Sequence, residues 1–425
     1  MKVRAWLASC SMATATMDST LKNPPQSSPK HLASDTSSAS DNYSTTDTSS
    51  SSLQSNFSLQ TFPSLPSLQK FSQDEIQFLS VSHACVSTLK TCEKLPITCL
   101  AVHEDLLYAA SAHEINVYDR STLTHLNVFN GQESSTGYVK AVTVNCDGKL
   151  FTAHQDCKIR VWRVNEAKRY KLLDTLPTIN DRLRRCLLPK NYVNVRRHKK
   201  RLWIEHGDAV TGLAVRNGLI YSVSWDKCLK IWRASDLRCL ESVKAHEDAV
   251  NAVVVSVDGT VYTGSADRKI RVWAKPFNQK RHMLMATLEK HKSAVNALAL
   301  NEDGSVLFSG ACDRSILVWG REDSANYMAV TGALRGHEKA ILSLINVSGL
   351  LFSGSADRTV RIWRRGHDAR YCCLSVMEGH QKPVKSLAAV WEDESNDVVS
   401  VFSGSLDGEI NVWKVSASKP NSPQY

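Results

Sequence analysis

The chain has 425 residues, 42% of them hydrophobic, with a mean hydropathy of −0.26 and a formal net charge of +10. That composition supplies enough apolar surface for a sizeable core and length for more than one domain. No run of about 18 apolar residues occurs, which excludes a transmembrane helix, and the opening MKVRAWLASCSMATATM is interrupted by Ser9, Cys10, Ser11 and Thr14 too early for a secretory signal.

The 12 cysteines are scattered without a CxxC pair, so neither a disulfide framework nor a cysteine metal site is expected and a reducing compartment, cytoplasm or nucleus, fits better. Between His31 and Gln60, 15 of 30 residues are Ser or Thr, so residues 1–75 are expected to be a disordered tail that buries too little apolar surface to offset its ordering entropy. Ser28 and Ser422, each before a proline, are candidate phosphorylation sites. Seven Lys/Arg and seven Asp/Glu precede Leu95, so the whole charge of +10 belongs to the chain from Leu95 onward.

From Pro96 onward one pattern returns, most plainly in Val261–Trp273 (VYTGSADRKIRVW) and Leu351–Trp363 (LFSGSADRTVRIW). Strand ends align at Tyr118, Trp162, Trp232, Trp273, Trp319, Trp363 and Trp413, giving seven units at spacings of 41 to 50 residues, except for 70 between Trp162 and Trp232. Short β-branched and apolar runs broken by Asp147-Gly148, Asn217-Gly218, Asp258-Gly259 and Asp303-Gly304 read as antiparallel strands with hairpin turns. That period belongs to propeller blades. The fold class is therefore all-β, a seven-bladed propeller over 76–416, with 417–425 as a disordered end. The last unit runs out near Val415, leaving an open sheet edge. Ala84–Lys90 (ACVSTLK) matches the outer-strand pattern of Arg238–Lys244 (RCLESVK) and is expected to become the outer strand of the last blade, closing the ring.

Six units carry Ser or Thr ten residues before Trp and Asp six before it: Thr152/Asp156, Ser222/Asp226, Thr263/Asp267, Ser309/Asp313, Ser353/Asp357 and Ser403/Asp407. Five also carry an upstream histidine: His206, His246, His291, His337 and His380. Ser, His and Asp together suggest a hydrolase. A catalytic set is needed once, however, and this one recurs alongside Trp232, Trp273, Trp319, Trp363 and Trp413. Imidazole, hydroxyl and indole groups can satisfy a buried carboxylate, so a structural network is expected in each blade. Blade two lacks the upstream histidine. Blade one, with Ala112 and Tyr108 at the Asp and Ser/Thr positions, should be the least well stapled.

These positions, with Gly336-His337 and Gly379-His380, resemble the WD40 repeat and extend over about 340 residues, although none of the six Trp is followed by Asp. Cys146–Trp162 (CDGKLFTAHQDCKIRVW) and Leu187–Trp203 (LLPKNYVNVRRHKKRLW) further resemble plant JINGUBANG-type WD40 proteins. The resemblance implies a non-enzymatic plant signalling or developmental regulator acting through protein partners. It also implies that residues flanking the turn Asp line one rim of the central channel. The after-Asp positions are Cys157, Lys227, Arg268, Arg314, Arg358 and Gly408, and Trp225 precedes Asp226 where other units have Gln155, Ala266, Cys312, Ala356 or Leu406. Trp225 beside Lys227, with Arg268, Arg314 and Arg358, is thus the candidate partner-binding set. The bland alternative is that arginine is ordinary at such turns and the indole merely packs.

The long interval holds a basic insertion, 181–203. Against the one acid Asp181 it sets Arg182, Arg184, Arg185, Lys190, Arg196, Arg197, Lys199, Lys200 and Arg201, so +8 of the +10 lies here. It reads as a solvated loop, a bipartite nuclear-import signal, or a contact for an acidic partner or phosphates. Only Tyr192 and Trp203 offer stacking, so direct nucleic-acid binding is disfavoured. The leading expectation is a monomeric scaffold that binds regulatory protein partners, acidic ones among the candidates, through the propeller rim and the basic loop. A substrate receptor of a ubiquitin ligase is the alternative, weakened because Trp-Asp-X-Arg is absent at all six Trp positions. No unique nucleophile, metal-ligand cluster, cofactor motif or membrane segment is evident, so catalysis is not expected.

Overall fold

A computed structural model of the chain describes residues 81–91, 94–130, 137–164, 169–196, 199–321, 328–366, 370–393 and 398–417. The Ser/Thr-rich tail and residues 76–80 and 418–425 lie outside these. Seven four-stranded antiparallel sheets are present, together with one two-stranded hairpin. Their first strands are Ile97–His103, Val139–Val144, Val210–Arg216, Val250–Val255, Val295–Leu300, Ile341–Val347 and Val384–Asp393. Each packs against the first strands of the two neighbouring sheets, the seventh against the first, so the strands form a closed ring around a channel.

Burial follows from that arrangement. Second and third strands are covered on both faces by neighbouring blades, so burial along them is nearly continuous; Leu350–Ser355 is buried along its whole length, its Ser and Gly included. Outer strands such as Met283–Leu288 are mostly half-buried or exposed. The cores lie between blades: Val223, Ile231, Val250, Val261 and Trp273 form the one between blades three and four, each large side chain contributing about 1.5–3 kcal/mol. The recurring glycine in the second strand is dictated by close approach. A Cβ on Gly310 would collide with Ile341 Cγ2, and one on Gly404 would lie 2.5 Å from Ile97 Cγ2, so in these blades the next blade seats its first residue directly against glycine.

The outer strand of blade seven comes from the N-terminal side. Val81–Lys90 pairs antiparallel with Glu409–Ala417, from Val81 opposite Ala417 to Lys90 opposite Glu409, with one bulge between Cys85 and Ser87. Thr88 Oγ1 donates to Asn411 Oδ1 at 2.9 Å and Lys90 lies 3.2 Å from Glu409. The expected segment 84–90 lies within this strand, which begins three residues earlier. Residue 417, expected in the terminal tail, is its last partner.

The basic insertion is not an open loop. It folds into a helix, Ile179–Cys186, and a hairpin of Tyr192–Arg196 with Lys199–Leu202. Thr178 caps the helix, its Oγ1 accepting from the Asp181 backbone N–H at 3.1 Å. Asp181, 2% exposed, accepts from Arg185 Nε at 2.9 Å and from the backbone N–H of Cys239 at 3.2 Å, while Arg185 donates to the Cys239 carbonyl at 3.3 Å. Cys239 begins the outer strand of blade three, so the insertion supplies partners to an otherwise open sheet edge.

Candidate partner-binding surfaces

The repeated Ser/Thr–His–Asp–Trp set forms a buried chain of hydrogen bonds in blades three to seven. In blade three Trp232 Nε1 donates to Ser222 Oγ at 2.9 Å, Ser222 Oγ and His206 Nε2 are 2.8 Å apart, and His206 Nδ1 lies 2.8 Å from Asp226 Oδ2. The same contacts are made by His246 with Thr263, Asp267 and Trp273, by His291 with Ser309, Asp313 and Trp319, and by His337 with Ser353, Asp357 and Trp363. In blade seven His380 keeps Ser403, itself bonded to Trp413, at 2.8 Å, but Asp407 stands off at 3.5 Å. The order of groups is that of a hydrolase triad. Its hydroxyls are fully buried and already accept from an indole, which leaves no approach for a substrate.

Each carboxylate also caps its turn: Asp226 accepts from the backbone N–H groups of Gly207 at 2.7 Å and Cys228 at 2.9 Å. Burial alone would raise these acids, yet histidine and the N–H donors outweigh it. Asp267 is held down to about 2, and Asp226, Asp313, Asp357 and Asp407 are likewise depressed.

Blade two substitutes its own histidine. His154 stands within the second strand, its Nε2 2.7 Å from Thr152 Oγ1, which accepts from Trp162 Nε1 at 2.9 Å. Asp156 pairs instead with Arg160 at 2.8 Å. Burial, and secondarily the Arg160 charge, push the His154 imidazole down to about 3, so it is neutral. Counting only upstream of the first strand misses this residue; its signal is a histidine two positions before the turn Asp. Blade one has no such chain, and its second hairpin turn is shortened so that Ser111 pairs directly with Glu114.

The channel rim is built from two repeated devices. Each first strand carries a one-residue bulge, which re-aims one side chain. The extra residues are Thr98, Lys140, Thr211, Asn251, Asn296, Leu342 and Lys385. Thr211, Asn251 and Asn296 each donate to a carbonyl of the next blade's first strand, at 2.6, 3.0 and 2.9 Å. In blades two and seven the position holds Lys140 and Lys385. Burial, then repulsion from Lys385, pushes the Lys140 ammonium down to about 8.

The second device is a backbone bond that sets the residue before the turn Asp beside the one preceding the first strand, as in Trp225 N–H to the Ala209 carbonyl at 3.1 Å and Gln155 N–H to that of Tyr138 at 2.9 Å. Together they assemble a cluster the sequence did not reveal. Lys140 Nζ lies 5.4 Å from the ring of exposed Tyr138 and 5.8 Å from that of Trp225, within cation–π range. Trp225 is half-buried, and its cation is Lys140; the neighbouring Lys227 instead donates Nζ to the Glu247 carbonyl at 2.5 Å. Arg268, Arg314 and Arg358 are exposed, with φ of 73°, 68° and 77°. Left-handed backbone favours Gly or Asn, and Gly408 occupies the position in blade seven. Backbone demand therefore does not account for three arginines there.

In the insertion, Arg185 is committed to Asp181 and Cys239 and stacks 4.5 Å over Trp203, and Arg201 donates to the His206 carbonyl at 2.8 Å. Arg182 lies 3.4 Å from Glu205. Arg184, Lys190 and Lys200 face solvent. Arg197 lies outside the described residues; Arg196 and Lys199 are placed only as hairpin backbone. Among the described residues no group of His, Cys, Asp and Glu is arranged to hold a metal, and no helix is long and apolar enough to cross a membrane.

Seven blades in a closed ring, five of them stapled by a repeated Ser/Thr–His–Asp–Trp chain, define a repeat propeller. The model of the WD domain, G-beta repeat (WD40) matches residues 123–163, 198–233, 237–274, 283–320, 329–364 and 371–414, more than half of the chain, and the chain belongs to that family. All six matches begin within, or just before, an element that precedes a blade's first strand and end in its third strand, so the sequence repeat straddles blades and locks neighbours together. A stretch of 133 residues is 29% identical to Mitochondrial division protein 1 of Schizosaccharomyces pombe, covering 27% of this chain and 20% of that protein.

Proposed function

We propose that this propeller is a scaffold that holds an acidic segment of a regulatory protein at the channel rim. The observation that carries the reading is the Tyr138–Lys140–Trp225 cluster: two aromatic rings flanking a partly desolvated ammonium, with Lys385 as a second cation near the channel. Repulsion between the lysines is relieved when an anion sits between them, so a carboxylate with a neighbouring apolar side chain fits the electrostatics and the walls together. Arg268, Arg314 and Arg358 extend the positive rim and steer an acidic partner towards it. The likeness of Cys146–Trp162 and Leu187–Trp203 to JINGUBANG-type proteins supports a plant signalling or developmental setting, in cytoplasm and nucleus.

Quantitative affinity purification from native plant extract, with the full chain, Trp225→Ala and Lys140→Glu compared, tests this. Specific acidic proteins should be enriched by the wild type and fall at least tenfold with either variant while both variants keep the wild-type melting temperature. Equal recovery with all three proteins contradicts a rim site.

A further inference from the structure

The insertion helix is turned inside out. A surface helix ordinarily buries its apolar stripe and exposes its charges. In Ile179–Cys186 the buried face is the one bearing Asp181 and Arg185, which hold blade three, whereas Ile179, Leu183 and Leu187, at i, i+4 and i+8, are 74%, 61% and 84% exposed. Four residues are little more than one helical turn, so the three stack as one stripe on the outward side. Leu188, next in the chain, and Val193 on the hairpin are also exposed. Solvent-facing Arg184 and Lys190 flank it.

We infer that this face is a second docking surface, separate from the rim, for an acidic amphipathic segment of a partner protein. It deepens the scaffold reading without depending on the rim. The occupant follows from charge and shape. Leucines of a partner helix cover the stripe in helix-against-helix packing, and its acidic residues meet Arg184 and Lys190. A second copy of this chain would set the same cations against each other across a two-fold contact, which opposes self-association. A lipid surface is the poorer match: the exposed stripe is aliphatic, Trp203 lies beneath Arg185, and the exposed Tyr192 spends its hydroxyl on the Cys186 carbonyl.

The test is selection of a random-sequence peptide library against the full chain, with Leu183→Glu protein as the counter-selection. Enriched peptides are resynthesised and their affinities measured by fluorescence anisotropy. The expected peptides combine Asp or Glu with leucines at i, i+3, i+4 and i+7, weaken at least tenfold against Leu183→Glu and against Arg184→Glu/Lys190→Glu, and bind Trp225→Ala unchanged. Both stripe variants alter solvent-facing side chains, and an unchanged melting temperature checks that they fold. No enrichment over the counter-selection, enrichment of peptides without acidic residues, or loss of binding in Trp225→Ala overturns the inference. So does Leu183-dependent dimerisation in sedimentation, or Leu183-dependent binding to phosphatidylserine vesicles in place of peptide.

Discussion

Two residues carry the divergence of blade two, and neither stands where the repeat pattern looks for it. His154 replaces the upstream histidine from inside the strand, so the network of Thr152 and Trp162 is kept while Asp156 is released to Arg160. Because its folded pKa of about 3 lies below the ordinary imidazole value, the unfolded chain binds a proton there first as pH falls. Stability is thus full above about pH 6.5 and declines by up to about 1.4 kcal/mol per pH unit below it. The depressed aspartates add a further loss below their unfolded value of about 3.8. Urea titrations between pH 7.5 and 4.5 should show His154→Gln flattening this slope; an unchanged slope contradicts a neutral buried imidazole. Tyr138 and Lys140 escaped the sequence reading because blade two has no upstream histidine from which to count to the rim. Trp225 was legible, but the cation beside it was assigned to Lys227, since sequence neighbours are visible and blade neighbours are not.

At the scale of elements, the strands were legible because short β-branched and apolar runs between hairpin turns recur at the blade spacing, and the closing strand because its composition copies an outer strand. The insertion was not. Its nine cations conceal the Thr178–Asp181 cap and the alternating Tyr192-Val-Asn-Val run, and Asp181, the lone acid, proves to be the anchor. Asp181→Ala leaves the Cys239 N–H and the Arg185 guanidinium without their carboxylate, and should cost about 2–4 kcal/mol, whereas Arg184→Ala, altering an exposed side chain, should cost less than about 0.5 kcal/mol. Limited proteolysis should cut within 178–205 of the first variant well before the second. Equal cleavage would mean that the carboxylate does not hold the insertion.

Across the whole molecule, ring closure depends on a strand far from its partner in sequence. A chain beginning at Pro96 loses Val81–Lys90 and exposes Glu409–Ala417 as an edge, and should elute as aggregates where the full chain elutes as one species. Since nearly all the net charge belongs to the folded part, association with an acidic partner should slow as salt shortens the reach of the field. The most direct test of the rim as the working surface is site-specific photocrosslinking, with a benzophenone side chain at position 225 or, as a control, at 284 on an outer strand of blade four. A rim site predicts defined proteins captured from position 225, absent from 284 and lost when Lys140→Glu is added. Capture from 284 alone, or capture from 225 indifferent to Lys140, would contradict it.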